Sequence, residues 1–168
     1  MNDRNGGANP AVRYSESVRA SWALIAAIGG ALGLTTGLMT AFAIRGELSG
    51  GEAGVFYVAM AFVAVLSVFI LVNFTVLIIV VTDRYLHFRY GMFSRTLQFE
   101  HIRSAEIRPY RWLRYGGWGI RIVPRGGRAW SVPFVSTGVV VRTSADGSER
   151  EYYISSKAPD ALRAALPE

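Results

Sequence analysis

The chain has 168 residues, of which 51% are hydrophobic and only 18% charged, whereas soluble domains carry charge on about a quarter of their residues. The charge deficit is concentrated in two stretches, which excludes both a simple soluble enzyme and a disordered chain. There is no cysteine, which removes disulfides, thiolate zinc sites and cysteine nucleophiles, and the net charge is +6, with Lys157 the one basic residue that is not Arg.

Residues 1–21 read as a polar N-terminal tail containing Arg4, Arg13 and Arg19. No charge then occurs from Trp22 to Ile44, nor from Ala53 to Thr82. About 20 apolar residues in a helix cross a bilayer, so both runs predict membrane spans, joined by the short loop Arg45–Glu52. The first carries Gly29, Gly33 and Gly37 at intervals of four, a doubled small-residue motif that lets another helix backbone come close. Its partner is either the second helix, where Ala59, Ala64 and Ser67 are small, or the first helix of another copy in a homodimer. Neither span holds an ionisable residue, and proton relays and charge-coupled transporters need such groups. Arg4, Arg13 and Arg19 before the first span and Arg84, Arg89 and Arg95 after the second predict that both termini are cytoplasmic.

After Asn73 the second run changes to Phe74-Thr75-Val76-Leu77-Ile78-Ile79-Val80-Val81-Thr82. Such a β-branched run predicts a buried strand, so the helix should end near Thr75; one long tilted helix is the alternative. The chain therefore divides into a cytoplasmic tail (1–21), a two-helix transmembrane hairpin (22–75) and a cytoplasmic domain (76–168). In that domain, turn signals separate short strands at Tyr85–Tyr90, Thr96–Phe99, Arg103–Ile107 and Trp118–Val123. Gly138–Thr143 and Arg150–Ile154 flank Asp146-Gly147, a hairpin signal. Pro159–Leu166 predicts a short closing helix with Pro in its first turn. The fold class is α+β: a helical hairpin, then about seven antiparallel strands forming a barrel or sandwich plugged by a C-terminal helix. An all-β barrel of another topology is the runner-up.

Several segments resemble bacterial pleckstrin-homology-like (PH-like) domains attached to membrane helix pairs. They are Val81-Thr82-Asp83, Phe88-Arg89-Tyr90-Gly91 and Glu100–Ile107; the most specific is Gly116-Gly117-Trp118-Gly119-Ile120-Arg121, and the closing hairpin with Ile154-Ser155-Ser156 before Pro159 completes the set. The resemblance covers roughly Thr75 to Leu166 and departs from the family pattern between Ile122 and Gly138. It implies a multi-pass protein of the bacterial inner membrane with an interaction domain. A phosphoinositide site is not implied, because the connection Thr82-Asp83-Arg84-Tyr85 is short and nearly neutral.

No catalytic or metal-binding constellation is legible: His87 and His101 stand apart, and Gly116–Gly119 lacks the Lys-Ser/Thr of a phosphate loop. The informative segment is Arg103–Arg128, with seven Arg against Glu106 alone, interleaved with Tyr110, Trp112, Tyr115 and Trp118. Arg108, Arg111, Trp112, Arg114, Tyr115, Trp118, Arg121, Arg125 and Arg128 form the candidate patch for lipid or partner binding. The competing reading makes Trp118 and Ile120 core and the arginines a solvated face. The expectation is a non-catalytic membrane-anchored scaffold, assembly or accessory subunit without cofactor. Its partners would be membrane lipids and other membrane protein subunits, not nucleic acid. An anionic-lipid-binding regulatory module is the alternative.

Overall fold

A computed structural model describes residues 10–46, 50–123, 126–145 and 147–167. Strand β1 (Val12–Arg19) runs into helix α1 (Trp22–Arg45), helix α2 (Gly50–Phe74) returns, and strand β2 (Val76–Thr82) follows. Then come β3 (Tyr85–Tyr90), β4 (Phe93–Gln98), a single 3-10 turn (Phe99–His101), β5 (Ile102–Pro109), the one-turn helix α3 (Trp112–Tyr115), β6 (Gly119–Val123), β7 (Gly127–Ser131), β8 (Thr137–Ala145), β9 (Ser148–Ser155) and α4 (Pro159–Ala165).

Helices α1 and α2 are both long and apolar enough to cross a membrane. Ser21 caps α1, its Oγ accepting from the Ala23 amide at 3.3 Å, and Gly46 ends it in the left-handed conformation. Half-buried residues recur on α1 at Leu24, Ile28, Leu32, Thr35, Met39 and Phe42, and on α2 at Phe56, Met60, Ala64, Ser67 and Leu71. This three-to-four spacing marks the seam between the helices, closed near the tip by an edge-on contact of Phe42 with Phe56. Gly29, Gly33 and Gly37 lie off that seam: all three are exposed, and a β-carbon on any of them would meet open space.

The strands form two sheets rather than a closed barrel, with orders β1-β2-β3-β4 and β5-β8-β9-β7-β6. Among the described residues nine strands replace the expected seven, and the pairing is not wholly antiparallel, because β7 runs parallel to β9. Both additional strands sit where the sequence looks unlike a strand. Residues 12–19, read as tail, pair antiparallel with β2 from Val12↔Thr82 to Arg19↔Val76. Residues 127–131, read as a departure from the family pattern, put Trp130 into the core.

Side chains alternate along β3, with Leu86, Phe88 and Tyr90 buried, and so are Leu77, Ile79 and Val81 of β2. They pack against Trp130, Val139, Val141, Tyr152 and Ile154 of the second sheet, and Leu162 and Leu166 at α4 close the same core. Phe88 meets Trp130 edge-on at 4.9 Å, and the Tyr90 ring stacks on Trp130 while its hydroxyl donates to the Ser131 carbonyl at 3.1 Å. The second sheet is covered on its other face too. There Tyr115, Ala129, Val140 and Tyr153 form a second buried cluster under Tyr110.

The consequence for the site is topological. Only Ala20 and Ser21 separate β1 from α1, and only Thr75 separates α2 from β2. The Ala20 amide donates to the Thr75 carbonyl at 2.8 Å. The helical hairpin is thus an insertion between two paired strands, and the N-terminal segment is part of the β domain. Glu16 adds a second tie. It accepts from Ser156 Oγ at 2.6 Å and from the Lys157 amide at 2.8 Å, bonding β1 to the turn before α4.

Candidate functional site

The foot of the hairpin meets the β domain along the Gly116–Arg121 loop. Gly116, Gly117 and Gly119 all have positive φ (68°, 116° and 90°), a region that residues with a β-carbon rarely enter. This backbone turns Trp118 toward the helices. A cleft of about 340 Å³ opens there, walled by Leu24, Ile25 and Ile28 of α1, by Ile70, Leu71 and Phe74 of α2, and by Trp118, Ile120 and Pro133 of the domain. Gly117 has a further role. A β-carbon on it would come within 3.1 Å of an Arg121 guanidinium nitrogen, so glycine here lets Arg121 fold back over the loop, where its Nε donates to the Trp118 carbonyl at 3.0 Å.

Apolar side chains continue outward from the cleft. Trp118 contacts Trp112 at 6.3 Å and Phe134 at 5.3 Å between ring centroids. Trp112, Leu113 and Phe134 are 51%, 89% and 66% exposed. Phe134 occupies the third position of the turn Val132–Val135 with φ 64°, closed by the Val135 amide on the Val132 carbonyl at 3.2 Å. A turn of that shape ordinarily takes Gly there. Met92, also exposed, donates its amide to Asn73 Oδ1 at 3.1 Å, which brings the β3–β4 turn to the end of α2.

The candidate patch divides under this geometry. Trp112, Trp118 and Arg121 come together at the foot of the hairpin. Tyr115 does not belong to a surface: it is buried, stacked on Tyr110 at 5.1 Å and packed against Tyr153 at 5.3 Å. Burial pushes the hydroxyls of Tyr110, Tyr115 and Tyr153 up from their ordinary value. Tyr110 also donates to the Gly117 carbonyl, and Ser131 Oγ donates to the Tyr110 hydroxyl at 3.0 Å.

The arginines are less free than their number suggests. Arg108 Nε donates to Glu106 at 3.0 Å, and Arg142 reaches the same carboxylate at 3.3 Å. The Arg108 bond and charge hold the exposed Glu106 carboxyl below its usual range. Arg114 pairs with Glu151 at 3.4 Å, and Arg142 approaches Glu151 at 3.6 Å. Glu151 lies on β9, far along the chain from the arginine segment. Arg128 is half-buried on β7 opposite Ile122 and Tyr152. Arg111 and Arg121 are exposed and have no ion pair among the described residues. Arg125 lies outside the described residues.

Neither histidine joins a site: His87 Nδ1 bonds Thr96 Oγ1 at 2.8 Å, and His101 lies 3.4 Å from Glu100. Among the described residues no three of His, Asp and Glu gather as a metal site would require. No family model matches the chain, and neither a curated protein nor a solved structure matches it.

Proposed function

We propose that this is a multi-pass protein of a bacterial cytoplasmic membrane, with both termini cytoplasmic, whose PH-like domain acts without catalysis as a scaffold, assembly or accessory subunit of a membrane complex. The observation that carries the reading is the insertion of the helical hairpin between β1 and β2 through linkers of two residues and one. Such an anchor holds the domain in a thin layer at the bilayer, where its effective concentration for neighbouring membrane proteins is high. The exposed Trp112, Leu113 and Phe134 beside the helix ends suit that layer, since aromatic side chains favour the membrane interface. The arginines flanking the helices favour the cytoplasmic side. The closing β8–β9 hairpin and α4 support the PH-like assignment.

Gly29, Gly33 and Gly37 leave a small-residue ridge on α1 uncovered by α2. In this reading the ridge receives a helix of a partner subunit or of a second copy. The test is the mass and composition of the native particle purified in mild detergent. A stoichiometric second protein supports the accessory-subunit reading; a monomer or dimer of this chain alone removes that reading, and the dimer assigns the glycine ridge to a second copy. Membrane lipid is the alternative partner, and the cleft at the hairpin foot favours it specifically.

A further inference from the structure

We propose that the cleft at the hairpin foot binds one membrane glycerophospholipid, with a hydrocarbon chain between the helices and the domain and the phosphate on Arg121. The proposal rests on the helices crossing a membrane, and goes beyond the scaffold reading by naming a ligand. The cleft volume of about 340 Å³ lies within the range of about 300–1,000 Å³ that small-molecule sites occupy. Ile25, Ile28, Ile70 and Leu71 wall its helix side, and Arg121 is the one charged residue among the described residues lining it.

Charge complementarity selects the occupant. An apolar helix from a partner would leave the guanidinium facing hydrocarbon, a costly arrangement. A phospholipid presents an apolar chain and an anionic phosphate in the same order, from bilayer toward domain, as the cleft presents isoleucines and arginine. Guanidinium groups bind phosphate through two parallel hydrogen bonds. The Arg121 Nε is committed to the Trp118 carbonyl, which fixes the side chain in place and leaves the terminal nitrogens for the phosphate. The lipid is the source of that phosphate because the cleft opens at the helix ends, where headgroups lie.

The test uses the full chain, stripped of lipid in detergent, given phosphatidylglycerol and weighed intact in the gas phase. One phosphatidylglycerol retained above the detergent background is expected. Arg121→Gln should lower its occupancy about tenfold, in line with a hydrogen bond to a charged group worth about 1.5 kcal/mol. Ile70→Trp, which fills the apolar end with Arg121 intact, should do the same. Arg111→Gln, which removes another exposed arginine, one outside the cleft, should retain lipid as the parent does. No lipid on the parent chain, or retention unaffected by Arg121→Gln, overturns the proposal, and that arm stands even if Ile70→Trp fails to fold. Alkaline carbonate extraction of membranes separates the two levels of failure. Release without detergent overturns the membrane-spanning reading itself, whereas an integral protein that retains no lipid overturns the site alone.

Discussion

Phe134 holds a backbone conformation that costs a bulky residue about 1–3 kcal/mol, yet two-thirds of its surface faces outward. Relieving that strain should offset the loss of its contact with Trp118. Phe134→Gly is therefore expected to leave the unfolding free energy within about 1 kcal/mol of the parent, measured by denaturant titration. Phe88→Ala, at a fully buried ring against Trp130, should cost about 3–5 kcal/mol in the same measurement. Gly138 shows the opposite constraint from Phe134. A β-carbon there would lie 2.3 Å from the Ile154 carbonyl oxygen and 2.8 Å from the Tyr153 ring. Gly138→Ala must push β8 from β9, and loss of the cooperative thermal transition is the expected outcome. At this scale the glycines around Trp118 were legible as a backbone feature, because Gly116, Gly117 and Gly119 all take positive φ. The sequence reading placed Tyr115 and Arg114 in the patch, because Tyr153, which packs against the buried Tyr115, and Glu151, which pairs with Arg114, both arrive only on β9.

Strand β2 was legible because a run of β-branched residues has one physical explanation: burial. Strand β1 was not. Its sequence Val-Arg-Tyr-Ser-Glu-Ser-Val-Arg presents only Val18 as a fully buried side chain, as suits an edge strand, and a half-solvated edge strand has the composition of a tail. What fixes it is backbone pairing to β2 and the carboxylate of Glu16, neither of which leaves a hydrophobic pattern. Glu16→Ala removes both bonds to the Ser156–Lys157 turn and should destabilise the domain by about 2 kcal/mol. Increased hydrogen exchange in residues 12–19 should accompany the loss. Strand β7 was hidden for another reason. It is short and bounded by glycine, and although it pairs antiparallel with β6 across the brief connection 124–126, its other partner is β9, which runs parallel to it and lies beyond β8 in the chain.

The molecule as a whole favours neutral tyrosines. Burial pushes the Tyr14 hydroxyl up to about 12, and those of Tyr90, Tyr110, Tyr115 and Tyr153 upward as well. An unfolded tyrosine ionises near 10. Raised folded values give stability that is whole below about pH 10 and lost as pH rises toward 12. Phenolate absorbance should therefore show late-titrating groups, released together with loss of structure. Glu106 acts in the other direction: lowered by Arg108, it contributes above the usual carboxylate range and loses that contribution in acid. Topology yields a sharper prediction. Because the Ala20 amide already bonds the Thr75 carbonyl, replacing residues 21–74 by Asn-Gly should close β1 and β2 into an ordinary two-residue hairpin. The product should be a water-soluble folded domain by gel filtration and circular dichroism. A fragment beginning at Val76, with the β2 edge bare, should aggregate.

Placing the hairpin between two partnered strands also orders events during synthesis. Residues 12–19 leave the ribosome first, but their partner, residues 76–82, emerges only after both helices have been made. If one helix crosses the bilayer and the other does not, the two strands finish on opposite sides, and no rearrangement within either compartment can join them. Ile79 and Val81 would then lie on an unclosed sheet edge, open to proteolysis. If both helices span a bilayer as proposed, the folded sheet is a record of an even number of crossings, written by the chain itself.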